Sequence, residues 1–182
     1  MSDVAWLLEQ LWGPIVAVTA EHDGRANGLI STTAITASLL PETPRLSVHL
    51  SRSNLTHDLA LAAGAFAVHL LAADKTGLEI VRALGFHTGH ETTKLDGLTT
   101  QRGETGAPIL ADAVAYVEAR PSATLAAGAV TVVVADVVAG QRLRDSAVLT
   151  IDDVRTHAPA AWLAEWEARR RAEIEAARRL SS

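Results

Sequence analysis

The sequence predicts a mainly β protein, an antiparallel barrel with peripheral helices, and three observations carry that expectation. Short stretches alternate apolar and polar residues in the period of a strand. Leu46, Val48 and Leu50 oppose Ser47 and His49, and Phe66 to Leu70 repeats the pattern. Turn pairs such as Asp23-Gly24 and Asn27-Gly28 join neighbouring strands directly, as hairpins. Few helical stretches separate the strands, which favours a closed barrel over a doubly wound parallel sheet.

Bulk properties narrow the function. A chain of 182 residues that is 48% apolar has ample core for one domain. A net charge of −5 argues against nucleic acid as the main partner, since neutralising phosphates needs a basic face. With no cysteine there is no disulfide, no thiolate metal site and no thiol nucleophile. The acidic start Met1-Ser2-Asp3 lacks the basic region of a signal peptide. No apolar run reaches the roughly 20 residues of a membrane span. The longest, Val130 to Ala139, has strand length and contains Asp136. The expectation is a cytoplasmic protein with no membrane partner.

Taken in order, Ser2 and Asp3 cap a helix with apolar Val4, Leu7, Leu8 and Leu11, stopped by Gly13-Pro14. Ile15 to Ala20 is a strand, and the segment 21–28 turns it back. A hydroxyl-rich strand follows over Leu29 to Ser38, ended by Pro41 and Pro44. The strand from Leu46 leads into a helix at Leu55 to Ala63, closed by Gly64. Phe66 to Leu70 is a strand, and Asp74 caps a helix through Leu84 that Gly77 weakens. From Gly85 to Pro108 the chain reads as a Gly- and Thr-rich loop, too long to be idle in a compact domain. Val114 to Ala119 is a strand, Pro121 to Leu125 begins its neighbour, and Thr131 to Ala139 is the best buried strand. A last short strand covers Ala147 to Ile151.

A change of character after Pro159 divides a barrel domain, 1–158, from a C-terminal amphipathic helix, 159–182. Trp162, Leu163, Trp166, Ile174 and Leu180 form its apolar stripe. Glu165–Arg169, Glu167–Arg171 and Glu175–Arg179 are spaced as i, i+4 pairs. Its balanced charge favours packing on its own domain or a dimer mate over a membrane.

The chemistry centres on residues 27–58. Ser51, Arg52, Ser53 and Thr56, at a strand-to-helix junction, combine hydroxyls, a guanidinium and free helix amides, which suits a phosphate. The plain alternative is a Ser- and Asn-rich turn. His57 beside them supports an anion or merely caps. His87 and His90, with Glu91, lack a third ligand at workable spacing, so no metal site is expected. His49 and His69 read as hydrogen-bonded structural residues. Neither G-x-G-x-x-G nor G-x-x-x-x-G-K occurs, which disfavours a dinucleotide fold, and the absence of G-x-S-x-G disfavours a hydrolase.

Five passages in order resemble the flavin reductase-like family, the split barrels that bind flavin mononucleotide (FMN). They are G-L-I-S-T-T-A-I-T-A-S from Gly28, P-R-L-S-V-H-L-S-R-S-N-L-T-H-D-L from Pro44, and G-A-F-A-V-H-L-L from Gly64. The Gly85 to Leu95 loop and G-A-P-I-L from Gly106 complete the set. The resemblance spans roughly Pro14 to Gly140. It implies a six-stranded antiparallel split β-barrel that dimerises, with FMN near the dimer interface. The C-terminal helix lies outside the resemblance, and our own expectation is that it crosses to the mate.

By position, Ser31, Thr32, Thr33 and Ala34 would edge the flavin ring, with Thr36, Ala37 and Ser38 close by. Ser51, Arg52, Ser53, Thr56 and His57 match the phosphate segment. His87, His90 and Lys94 fall on the loop beside the ring and the nicotinamide. Ala34 replaces a common aromatic residue, Leu95 a usual Phe and His69 a common Asn. The implied function is an oxidoreductase that passes hydride from NADH or NADPH to FMN, with FAD or riboflavin as alternative substrates and a flavin-dependent monooxygenase as a partner. No side-chain acid or base is required for that transfer. A flavin-binding carrier without turnover is the rival reading.

Overall fold

The computed structural model describes residues 7–181. The expected caps Ser2 and Asp3, with Val4, lie outside the described residues, as does the side chain of Leu180. Nine strands carry the fold: β1 (Val16–His22), β2 (Arg25–Ser31), β3 (Ile35–Thr36), β4 (Arg45–Ser51), β5 (Phe66–Leu70), β6 (Thr100–Arg102), β7 (Pro108–Leu110), β8 (Ala115–Ala127) and β9 (Val130–Arg142). The helices are α1 (Leu55–Ala63), α2 (Lys75–Gly85), α3 (Ile151–His157) and α4 (Ala160–Ser181).

Seven strands form one antiparallel sheet in the order β2-β1-β5-β8-β9-β4-β3, and β6 and β7 form a separate hairpin. Strands β2 and β3 are the two outer edges of the sheet, yet only residues 32–34 separate them in the chain. At no more than about 3.6 Å per residue, so short a link brings the edges together only if the sheet curls round on itself. The result is a barrel with a split between β2 and β3. The expected continuous strand Leu29 to Ser38 therefore breaks at the split, and this break gives seven strands in place of six.

Elsewhere the sequence pattern and the structure agree closely. Leu46, Val48 and Leu50 point inward from β4, and join Val16, Val18, Phe66, Val68 and Val133 in the barrel interior. Leu55 and Leu59 of α1 plug that interior, and Gly64 ends the helix in the left-handed conformation at φ 61°. A second core, built on Ile15, Ala17, Leu71, Ile80, Leu84 and Phe86, fills the space under α2, α3 and the start of α4.

Four expectations need correction. Only Asp23 and Gly24, at φ 51° and 76°, make the hairpin turn; Asn27 and Gly28 lie within β2, opposite Ala20 and Thr19. Gly28 is there because Leu84 crosses so close that a Cβ would sit 2.9 Å from its side chain. Pro121 does not begin a new strand: β8 runs through it, with register shifts on either side absorbing the missing N–H. Strand β9 alternates instead of burying both faces, and Asp136 pairs with Arg45 at 2.6 Å. The strand expected at Ala147 shrinks to one bridge, Ala72 to Val148, because the Thr150–Asp153 capping box starts α3 at Ile151.

Within the long loop, the β6–β7 hairpin was not anticipated. Buried Glu118 anchors it, accepting from the N–H groups of Glu104 (3.0 Å) and Thr105 (2.7 Å) and from the Thr105 hydroxyl (2.5 Å). In α4, Glu167–Arg171 forms at 4.0 Å, but Glu165 reaches Arg82 of α2 instead, Arg169 pairs with Glu173, and Glu175 with Arg178. Trp162, Leu163 and Trp166 pack on the second core of the same chain. Among the described residues no helix is long and apolar enough to cross a membrane.

Candidate functional site

The break that closes the barrel also builds the site. Ser31 ends β2 opposite Val16, Thr32 and Thr33 leave the ladder at the split, and all three line a cavity of about 450 Å³, a size suited to a cofactor. Thr33 stitches the seam. Its hydroxyl meets Ser31 Oγ at 2.9 Å and both donates to the His49 carbonyl and accepts from the His49 N–H, at 3.4 and 3.3 Å. The Thr32 carbonyl is taken by the Gly13 N–H at 2.9 Å, while its hydroxyl has no partner among the described residues. The Thr33 N–H donates to Ser31 Oγ at 3.2 Å, so the turn is rigid and lines the cavity with three consecutive hydroxyls, a fitting edge for a flat polar ring.

Ser51 and Asn54 line another part of the same cavity. Ser51 Oγ and Ser53 Oγ are 2.9 Å apart, and Asn54 occupies the N-cap of α1 without a side-chain capping bond. The Leu55 and Thr56 amides of the first turn therefore keep their donors, and the helix dipole favours negative charge there. Thr56 and His57 are buried behind this turn and hold it in place. Thr56 accepts from Asn27 Nδ2 at 3.1 Å, and His57 lies between Asp58 (2.7 Å) and Thr131 (2.9 Å). The donor set fits a phosphate, and the seam and the helix start together fit a flavin nucleotide.

The remaining expected residues scatter. Arg52 is exposed and donates to the Gly128 carbonyl at 3.1 Å, away from the cavity lining. Ala34 packs on the barrel core, while Thr36, Ala37 and Ser38 are outside the lining; Thr36 donates to the Ser38 carbonyl. His87 is exposed, and His90 Nε2 sits 3.3 Å from the Ser53 carbonyl. Lys94 does reach the cavity. Its ammonium is buried, donating to the Leu84 carbonyl at 2.8 Å and the Gly28 carbonyl at 3.2 Å. Burial, helped by Arg169 and opposed by Glu173, pulls it down to about 8, so it remains mostly charged at neutral pH.

Sequence reasoning missed Trp12, His49, Asn54 and Arg155, and the α4 side chains Trp166, Glu167, Arg170 and Glu173, all of which line the cavity. The α4 stripe was read as a packing edge, and nothing in its spacing marks the neighbouring polar face as a cavity wall. Glu9 ties this side together. Its buried carboxylate accepts from Arg170 at 2.7 Å and Arg155 at 3.1 Å, and Arg170 lies over the Trp12 ring at 5.2 Å. The Arg170 hydrogen bond, against the opposing effect of burial and with Arg155 adding to it, holds Glu9 below the usual carboxylate range.

Residues 8–157 match the model of the flavin reductase-like domain. The chain belongs to the flavin reductase-like family. Among curated relatives, this flavin reductase-like chain is 34% identical over 137 residues to a ferric-chelate reductase (NAD(P)H) of Archaeoglobus fulgidus, covering 75% of this chain and 79% of the relative. Among solved structures, an FMN-binding protein from Thermus thermophilus with bound p-hydroxybenzaldehyde superposes with a TM-score of 0.65 at 27% identity, over 71% of each chain. The flavin reductase HpaC complexed with NADP+ shares the fold, with a TM-score of 0.66 at 22% identity over 80% of this chain and 93% of that one. Among the described residues no group of three His, Asp or Glu side chains is placed to hold a metal ion.

Proposed function

We propose that this protein is an NAD(P)H-dependent flavin reductase that works on FMN. The observation that carries the reading is one cavity with two matched ends: the Ser31–Thr33 seam for the ring and the uncapped start of α1, with Ser51 and Asn54, for the phosphate. Flavin, when bound, supplies acceptance of hydride from NADH or NADPH and delivery of electrons to an acceptor. The chain's own part is positioning and charge. Hydroxyls and amides at the seam hydrogen-bond the polar edge of the ring, and the Lys94 ammonium raises the local positive potential that favours a reduced, anionic ring.

Of the residues expected from sequence, Ser31, Thr32, Thr33, Ser51 and Lys94 are proposed to contact flavin. Ser53, Thr56 and His57 position the phosphate end, and Arg52 reaches phosphate only by leaving Gly128. We further propose a cytoplasmic homodimer, since the reaction draws on the reduced nicotinamide pool. Ile35, Leu39, Leu40, Leu125 and Val138 are large apolar side chains left 48–99% exposed, on or beside β3, β8 and β9, an area suited to a second copy. A ferric chelate or a flavin-dependent monooxygenase is the proposed destination of the electrons.

The test is a visible absorption spectrum after loading with FMN and desalting. Flavin bands that co-elute with protein, and bleach on anaerobic addition of NADH or NADPH, support the reductase. Bands that co-elute and never bleach favour a carrier. No retained flavin, with no change in flavin fluorescence on titration, defeats the flavin reading.

A further inference from the structure

The family match ends at residue 157, and α4 begins at Ala160. Even so, α4 supplies Leu163, Trp166, Glu167, Arg170 and Glu173 to the cavity that the seam opens into. One wall of the site therefore comes from outside the shared domain. We infer that α4 is a retaining wall, fastened by Glu9, that makes flavin a resident group of this protein instead of a substrate exchanged at each turnover. The inference rests on the flavin reading of the cavity.

Two sets of contacts fasten the wall. On the core side, Trp166 stacks on Phe86, with ring centroids 6.3 Å apart and 25° between planes, and Trp162 meets the same ring edge-on at 6.4 Å. Arg82 of α2 lies over Trp162 at 4.4 Å and reaches Glu165 at 3.9 Å. On the cavity side, Glu9 grips Arg170 of α4 and Arg155 of α3 with one carboxylate, so the helical turn at residues 7–9, α3 and α4 are joined at a single point. Both arginines line the cavity, and each of them loses a buried, charge-assisted bond if the carboxylate is neutralised. Outward movement of α4 has to break that clamp, whereas the β-barrel side of the cavity needs no rearrangement. Release of a bound ring is thereby coupled to a local opening with its own barrier.

A resident flavin also sets the class of acceptor. If the ring stays, electrons leave by way of an acceptor that comes to the cavity, and this favours a small diffusible species such as a metal chelate over handing free reduced flavin to a partner. Loss of the clamp converts the protein toward the exchanging kind.

The experiment measures FMN release from the 182-residue chain by the recovery of free-FMN fluorescence after large dilution into flavin-free buffer, with circular dichroism as a control for folding. Wild type is expected to carry FMN through gel filtration. Glu9→Gln and Arg170→Ala are expected to release it at least about tenfold faster, while Arg170→Lys, which keeps a cation against Glu9, recovers most of the retention. Trp166→Ala tests the core-side fastening separately. Wild type that binds FMN but releases it as fast as folded Glu9→Gln and Arg170→Ala overturns the retaining wall and leaves the flavin reading standing. Wild type that never binds FMN overturns both.

Discussion

Glu118 and His69 form a buried polar pair of residues whose protonation states are fixed by their surroundings. Burial by itself raises the Glu118 carboxyl, but the Thr105 hydroxyl and the Thr105 and Glu104 N–H groups outweigh it, with His69 adding to them, and hold it below the usual carboxylate range. His69 accepts from the Leu110 N–H at 3.1 Å through Nε2, so Nδ1 carries the proton and faces the Ala17 carbonyl at 3.3 Å. Burial drives it down to about 4, against smaller opposing effects of Ala17 and Glu118. Both groups weaken the fold in acid. Below about 6.5 the unfolded chain takes a proton on His69 that the folded chain refuses until about 4, and at lower pH Glu118 must be protonated before its three bonds are lost. Denaturant midpoints are therefore expected to fall steadily from pH 7 to pH 4, and His69→Asn to flatten the upper part of that fall. Glu118→Gln places an amide against two N–H donors. It is expected to cost about 2 kcal/mol in urea unfolding, in the range for hydrogen bonds to charged groups. None of this was legible in the sequence beyond His69 as a structural residue, because the partner loop 103–107 reveals its role only once β6 and β7 pair.

At the level of elements, alternation was enough to place β4, which has one wet and one dry face, and β5, whose polar-side His69 is nevertheless buried. Strand β1, buried on both faces, was legible from its Val and Ile, and α1 from an apolar stretch closed by Gly64. The seam was not legible. Gly28 to Ser38 reads as one hydroxyl-rich strand, and only the closure of the sheet decides that its two ends belong to opposite edges. Strands of two or three residues, such as β3, β6 and β7, are too short for a period to show. Thr33 is the residue that holds the seam to β4, and Thr33→Val removes its bonds to Ser31 and the His49 backbone at nearly constant shape. The expected outcome is a loss of about 1 kcal/mol in stability together with weaker FMN binding by fluorescence titration. Unchanged binding would detach the seam from the cofactor. Gly77 looked like a weak point of α2 and is instead a requirement. A Cβ there would lie 1.9 Å from the Ala72 carbonyl oxygen, backbone that cannot step aside. Gly77→Ala is expected to lower stability by more than about 3 kcal/mol, readable as a large drop in the thermal midpoint.

For the molecule as a whole, several hydroxyls that line the cavity were legible and the wall that encloses them was not. Ser31 to Thr33 and Ser51 stand out as hydroxyls beside strands, while Arg155 and Arg170 gain meaning only from a carboxylate far away in the chain. The exposed apolar edge adds a test of assembly. Leu125, 66% exposed near the tip of the β8–β9 hairpin, is expected to lie in the contact between copies, so Leu125→Glu should halve the mass seen by light scattering while leaving the circular dichroism spectrum intact. The Glu9–Arg170 contact spans 161 residues of sequence. Closing so wide a loop is slow relative to pairing neighbouring strands, so the barrel has time to assemble before this contact forms. In hydrogen exchange the backbone amides of α4 should accordingly exchange first, ahead of β1, β5 and β8. The expected order of assembly finishes the cup early and draws up its last side afterwards, with an interval between the two for the cofactor to enter.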